Sequence, residues 1–192
     1  MRSSGVLLHI SSLPSPYGIG TMGKDAYKFV DFLKKSGQSY WQILPICPTG
    51  YGDSPYQSFS SFAGNPYFID LDMLVRDGLI TKEELASSGL TNDAYVDYEK
   101  QYNLRFPLLR IAYDRFAKKL TNKFMDFCRA EADWLDDYSL FMALKVHYNY
   151  CAWTNWDECH KDVVKARECR KEFACECGFW EWVQFEFDVQ WQ

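Results

Sequence analysis

No stretch of this sequence approaches the roughly 18 consecutive apolar residues that a membrane-spanning helix requires, which argues against a helical membrane protein. A basic patch is missing too. The 21 lysines and arginines are interspersed with 26 aspartates and glutamates, for a formal net charge of −5, and this excludes nucleic acid and anionic membrane as natural partners. There is no internal repeat and no low-complexity linker. No export signal is visible: Met1–Ile10 carries one base and a short apolar run, but the run contains His9 and lacks a small-residue cleavage site. That segment is expected to be a first strand. The seven cysteines (Cys47, Cys128, Cys151, Cys159, Cys169, Cys175 and Cys177) are odd in number and are expected to be reduced thiols of a cytoplasmic protein.

What is present is ordinary globular material. The 192 residues are 47% hydrophobic and 24% charged, enough for a real core and unlike a disordered chain. Val6 to Ile10 is nearly all apolar and predicts a strand buried on both faces. From Asp25 a helix is expected, with Ala26, Phe29, Val30, Phe32 and Leu33 on one stripe and Lys28, Lys34 and Lys35 outside it; Gly37 is its natural stop. Tyr40 to Ile46 predicts a second strand whose pairing ends at Pro45. Strand, loop, helix, strand is the pattern of a parallel βαβ unit. Tyr67–Asp72 alternates like a short strand, and Met73 to Gly78 resembles a helical turn. Helices are expected from Pro107 to Leu120, from Trp134 to Lys145, and as one long element over residues 160–191. A parallel sheet needs several strands, and only two are visible. The chain is therefore expected to be the beginning of a larger protein, with Asp188–Gln192 ending inside a helix.

Several motifs invite chemistry and do not support it. Gly18-Ile-Gly20-Thr-Met-Gly23 matches a dinucleotide fingerprint, but seven residues, two of them proline, separate it from the strand, and no acid follows the second strand for a ribose. A glycine turn ahead of a helix is the better account. Cys159, His160, Cys169, Cys175 and Cys177 lie in one segment, yet Cys175 and Cys177 are two apart and on a helix would point in different directions, unlike zinc ligands. Asp70 and Asp72 are too close together to flank a glycosidic bond, so turn or capping roles are expected. His9 is expected to be packed or hydrogen-bonded. Trp153 and Trp156 are expected to pack at a helix end.

The segment from Pro48 to Tyr67 is different. It is dense in Gly, Pro, Ser and Asn, so irregular backbone is expected, yet it carries Tyr51, Tyr56, Phe59 and Phe62 among hydroxyls, an amide and Asp53. Aromatic faces stack on the apolar faces of sugar rings, while Asp, Ser and Gln bond ring hydroxyls. A polyol ligand is the first expectation. The competing account is a long loop packed by its own aromatics.

The run Ser4-Gly-Val-Leu-Leu-His-Ile-Ser-Ser-Leu-Pro-Ser-Pro-Tyr-Gly-Ile-Gly20, with Tyr40-Trp-Gln-Ile-Leu-Pro-Ile-Cys-Pro-Thr-Gly-Tyr-Gly-Asp-Ser-Pro-Tyr-Gln-Ser-Phe-Ser-Ser-Phe-Ala-Gly-Asn-Pro-Tyr67, resembles the 4-alpha-glucanotransferases (amylomaltases, family 77 of the glycoside hydrolases). Weaker similarity continues through Trp134–Lys145 and Trp153–Trp156 to Trp191. The resemblance implies the start of a (β/α)₈ barrel of the alpha-amylase type, an α/β fold incomplete in this chain, with a large, mostly helical insertion. Residues 1–46 would be the first βαβ unit, 47–106 the substrate-binding loop and a small subdomain, and 107–192 a helical subdomain. It further implies transfer of an α-1,4-glucan segment to the 4-hydroxyl of another glucan by a retaining double displacement. An Asp nucleophile, a Glu acid/base and a supporting Asp act without metal or organic cofactor. In the family these three lie on later strands, so no catalytic residue is expected here. Binding residues carry over: Ser54 and Tyr56 to the donor and acceptor cleft, Tyr51 and Tyr102 to a second glucan site on the surface, and Asp53, Gln57 and Asn65 to the shape of the loop or to sugar hydroxyls. The partners implied are α-1,4-glucans and maltooligosaccharides. A non-catalytic glucan binder and an alpha-amylase-type hydrolase are the alternatives.

Overall fold

The computed structural model describes residues 2–192; Met1, at the head of the expected first strand, lies outside the described residues. Two short strands pair in parallel: β1 (Gly5–Leu7) and β2 (Tyr40–Gln42), with Val6 opposite Trp41. Both are shorter than their apolar runs. The Trp41 indole reinforces the pair by donating from Nε1 to the Leu8 carbonyl at 2.7 Å. The expectation of burial on both faces is corrected. Phe29 covers Trp41 edge-on at 5.0 Å, whereas Leu7 and Tyr40 are exposed. An apolar run is buried only where a second layer lies over it, and the described residues supply that layer at Trp41.

Helix α1 (Lys24–Lys35) follows the predicted stripe in part: Leu33 is buried and Phe29 packs on Trp41, but Val30 and Phe32 are exposed. It stops at Gly37, whose φ of 70° suits glycine. After β2 the chain is irregular until a 3₁₀ turn at Pro66–Phe68 and helix α2 (Leu71–Arg76). The strand expected over Tyr67–Asp72 is therefore corrected. The alternation is real, but two caps override it. Asn65 Oδ1 accepts from the Tyr67 amide at 3.0 Å, and Asp70 Oδ1 accepts from the Met73 amide at 3.0 Å. Helix α3 (Lys82–Ser87) opens on a capping box between Thr81 and Glu84.

Helix α4 (Tyr98–Phe116) starts at the Asp97 cap and runs through Pro107 rather than beginning there. Its buried positions Gln101, Arg105, Leu108, Leu109, Ala112 and Phe116 step by three and four along one face. That buried stripe holds the helix together across the donor missing at Pro107. Helices α5 (Asn122–Ala130) and α6 (Ala132–His147) follow. The single long helix expected over residues 160–191 is corrected to α7 (Glu158–Lys161), α8 (Val163–Glu168), a 3₁₀ turn at Arg170–Phe173 and α9 (Ala174–Trp191). Asp162 breaks the run by accepting from the amides of Val164 and Lys165, so a new helix starts there.

The chain forms two compact units. One comprises residues up to Lys118 together with Glu186–Gln192; the other is Lys119–Phe185. In the second unit Trp156 is buried with Leu140, Ala143, Leu144, Ala166 and Cys177, and its ring stacks on Tyr148 at 5.4 Å. Trp156 is thus core, whereas the packing expected of Trp153 is corrected: that side chain is exposed. Cys177 is buried and Cys175 exposed, so the two thiols face different ways.

The first unit is organised around buried polar groups. Asp70 accepts from the Thr21 hydroxyl at 2.6 Å as well as capping α2, and its own amide donates to Gln190 Oε1 at 2.6 Å. Asp70→Ala would leave the Thr21 hydroxyl and a helix-end amide without their acceptor. We expect a loss of roughly 1–3 kcal/mol in urea unfolding, with Asp70→Asn recovering part of it. His9 is packed edge-on against Phe68 at 5.2 Å, and burial holds its imidazole below the usual histidine range.

Candidate functional site

The loop after β2 is built from turns that leave its aromatics outside. Gly50 donates from its amide to the Gln57 carbonyl at 3.2 Å, which closes the tip. Within it the Asp53 amide donates to the Gly50 carbonyl at 3.1 Å, and the Gln57 amide to the Ser54 carbonyl at 3.0 Å. Gly52 (φ 88°) and Asp53 (φ 54°) take the left-handed conformation that lets two turns follow each other directly. Ser54 Oγ accepts from the Tyr56 amide at 3.3 Å. Further along, Ser60 Oγ accepts from the amides of Phe62 and Ala63. The hydroxyls therefore shape the backbone, and Tyr51 and Tyr56 face solvent. Tyr51 is fully exposed, Tyr56 is 71% exposed, and Phe59 and Phe62 are exposed as well. The competing account, a loop packed on its own aromatics, does not describe Tyr51 and Tyr56.

The base of the loop is rigid. The Asn65 amide donates to the Ile46 carbonyl at 2.8 Å, and Asn65 itself is buried with its Oδ1 engaged by Tyr67. At the base of the loop, the turn at residue 67 and α4 form an aromatic group. Tyr67 lies 5.8 Å from Tyr98 and 6.0 Å from Phe106, and Tyr102 lies 5.2 Å from Phe106. Burial pushes the Asp53 carboxyl above its usual range. Burial, then the Asp53 charge, pushes up the phenols of Tyr67 and Tyr98. The Asp53 charge therefore acts on both Tyr67 and Tyr98. Tyr102 stays exposed at the edge of the group. Tyr51 makes no ring contact among the described residues, so the structure does not stack it on Tyr102.

Beneath this group lies Arg105, fully buried. Its Nε donates to Gln101 Oε1 at 3.0 Å and its Nη1 to the Ile69 carbonyl at 2.7 Å, while Gln101 Nε2 donates to the Tyr17 carbonyl at 2.6 Å. Burial pulls its pKa down to about 10, opposed by the charges of Asp70, Tyr67 and Tyr17. Sequence reasoning missed Tyr67, Tyr98 and Arg105. A signal for Arg105 existed: Gln101 and Arg105 continue, in steps of four, the stripe that becomes apolar at Leu108.

A family model described as 4-alpha-glucanotransferase matches residues 8–192. The chain belongs to that family. It is 48% identical over 191 residues to a 4-alpha-glucanotransferase of Clostridium butyricum, covering 96% of this chain and 39% of the relative. It is 44% identical to the Thermus thermophilus 4-alpha-glucanotransferase, covering 99% and 38%. Among solved structures it resembles the Streptococcus agalactiae amylomaltase in complex with acarbose, with a TM-score of 0.92 at 40% identity over 100% of this chain and 40% of that one. The Corynebacterium glutamicum amylomaltase shares the fold, with a TM-score of 0.65 at 20% identity over 98% of this chain and 27% of that one. The chain thus spans about two-fifths of the length of the glucanotransferases it matches. Against them it presents two parallel strands and a mostly helical remainder, with the aromatic loop exposed at the end of the second strand.

Proposed function

We propose that this chain is the N-terminal part of a 4-alpha-glucanotransferase that moves a segment of an α-1,4-glucan onto the 4-hydroxyl of an acceptor glucan or glucose. The carrying observation is the family match across residues 8–192, with an outward-facing aromatic and hydroxyl loop at the end of β2. In this reading β1, α1 and β2 open a (β/α)₈ barrel, so the loop leaves the barrel at the C-terminal end of a strand, where such folds place their sites. Residues 47–106 supply the loop and its small supporting subdomain, and 107–192 the helical insertion. The reaction runs by double displacement, with the nucleophile and the acid/base contributed by residues outside this chain, and it requires no metal or organic cofactor. A cytoplasmic location fits a chain in which no described helix is long and apolar enough to cross a membrane.

Within that reading the side chains divide by exposure. Tyr51, Tyr56, Ser54, Gln57 and Tyr102 contact the glucan. Asp53 and Asn65 hold the loop in place, Asp53 against Tyr67 and Tyr98 and Asn65 as the cap of the following turn. Incubating the intact polypeptide with maltotriose tests the activity. Glucose together with longer chains is the expected product, hydrolysis alone would assign an alpha-amylase-type hydrolase, and unchanged maltotriose would leave a glucan binder. Tyr56→Ala is expected to weaken maltotriose binding roughly tenfold, about 1.4 kcal/mol, in calorimetry. Because Tyr56 is 71% exposed, its thermal stability should match the parent.

A further inference from the structure

A cleft of about 410 Å³ opens between two loops of the first unit, residues 11–19 after β1 and residues 92–96 before α4. None of the residues discussed for the aromatic loop lines it. Its size falls within the roughly 300–1,000 Å³ usual for small-molecule sites.

Both walls are fixed by adjacent residues of α4. Lys100 Nζ donates to Asp93 Oδ2 at 2.8 Å and to Thr91 Oγ1 at 2.5 Å, which pins the 92–96 wall. Gln101 Nε2 donates to the Tyr17 carbonyl at 2.6 Å, which pins the 11–19 wall. The two walls meet at Gly18: a Cβ there would lie 2.8 Å from Gln101 Nε2 and 2.8 Å from the Thr91 carbonyl oxygen. Only a residue without a side chain lets the loops approach that closely, so the floor of the cleft is closed by backbone.

The lining defines the chemistry of a ligand. Asp93 is its one acid, and Lys100 already neutralises it. Among the described residues no arginine, lysine or histidine lines the cleft, so neither an anion nor an unpaired cation finds a counter-charge. Instead Ser11, Ser12 and Asn92 are among its lining residues, and among the described residues none of the three has a side-chain hydrogen-bond partner. Tyr95, 77% exposed, adds an aromatic face, and Leu13 and Val96 add apolar surface. Unengaged hydroxyl and amide groups beside an aromatic ring match a neutral ring that carries hydroxyls on its rim and C–H groups on its faces.

We propose that this cleft is a further binding site for a neutral polyhydroxylated ring, filled in this protein by a glucose unit of a short α-1,4-glucan. Tyr95 stacks on the ring, and Ser11, Ser12 and Asn92 bond its hydroxyls. The ligand class follows from the lining; the choice of a glucan within that class rests on the proposed function. Since Lys100 and Gln101 precede Tyr102 directly on α4, one helical turn fixes this cleft and presents an aromatic of the loop region as well.

Maltose titrated into the isotopically labelled intact polypeptide, followed by backbone amide shifts, tests the proposal. The amides of residues 11–19 and 92–96 should titrate with maltose. In Tyr95→Ala and Asn92→Ala their apparent Kd should rise about fivefold or more, while the amides of residues 51–62 still respond. If only residues 51–62 respond, the cleft is not a sugar site and the proposal is overturned, with the glucan reading intact. Loss of response in both regions would overturn both. A response in the cleft that neither substitution weakens would also overturn it, because the ring would then be held by other groups.

Discussion

Gly64→Ala is expected to destabilise the first compact unit by on the order of 3 kcal/mol. A Cβ at residue 64 would lie 2.2 Å from Cδ1 and 2.4 Å from Cε1 of the Phe187 ring, far inside van der Waals contact. The ring has little room to yield. Phe187 is buried, and its ring is stacked on Trp191 at 6.3 Å with the planes 13° apart. The glycine has little room either, because the next residue is anchored through its amide to the Ile46 carbonyl. The added methyl must displace the end of α9 or the base of the aromatic loop. Urea unfolding should show a lower midpoint with an unchanged slope. Phe187→Leu introduced into the Gly64→Ala background should restore part of the loss, because the smaller side chain vacates the space the methyl needs. Two contacting residues should then show a coupling energy on the order of 1 kcal/mol in the double-mutant cycle. Strictly additive losses would mean that the methyl does not meet the ring.

That contact joins residues 123 positions apart in the chain, and it marks where sequence reasoning stops. Local signals were readable. The stripe from Ala26 to Leu33 and the stop at Gly37 placed α1, and the apolar runs at β1 and β2 placed the parallel pair, though both strands came out shorter. Local signals failed where two of them competed. Tyr67–Asp72 alternates as a strand does, but Asn65 and Asp70 each offer an oxygen to an amide two or three residues on, and the caps prevail. Likewise the periodicity of residues 160–191 suits a helix throughout, and Asp162 restarts it.

The candidate site divides the same way. That Tyr51 and Tyr56 face outward was legible from their setting among turn-forming residues. The aromatic group at the base of the loop was not: Tyr67 and Tyr98 are 31 positions apart, and nothing in either segment alone says that they meet or that the Asp53 charge reaches both. Arg105 was obscured by its charge. A guanidinium at zero exposure is admissible only because Gln101 and the Ile69 carbonyl accept from it and Asp70 offsets part of its desolvation; Gln101 is one turn away on the same helix, but Ile69 and Asp70 are brought there by the tertiary fold.

Glu186 should make the protein less stable as the pH rises through neutrality. It is 6% exposed near the end of α9, and burial pushes its pKa up to about 7 from a reference of 4.5. The Asp77 charge adds to the rise and Arg76 opposes it, but Arg76 is engaged with Asp77 through bonds of 2.8 and 3.2 Å. Between the two pKa values the folded state holds a proton that the unfolded state has released. Folding is then favoured by acid: the contribution is fully present below pH 4.5 and lost as the pH rises through about 7. The gap between those values, at about 1.4 kcal/mol per pH unit, amounts to about 3 kcal/mol. Glu84 does not mask the effect. Its ion pair with Arg115 holds its pKa at about 2, so its own contribution disappears only in far more acid solution. Glu186→Gln keeps the shape and removes the charge. The variant should gain on the parent by about 3 kcal/mol at pH 8 and by almost nothing at pH 4.5, in unfolding curves taken at each pH. Parallel pH profiles for the two proteins would mean that the carboxylate finds a partner when it ionises.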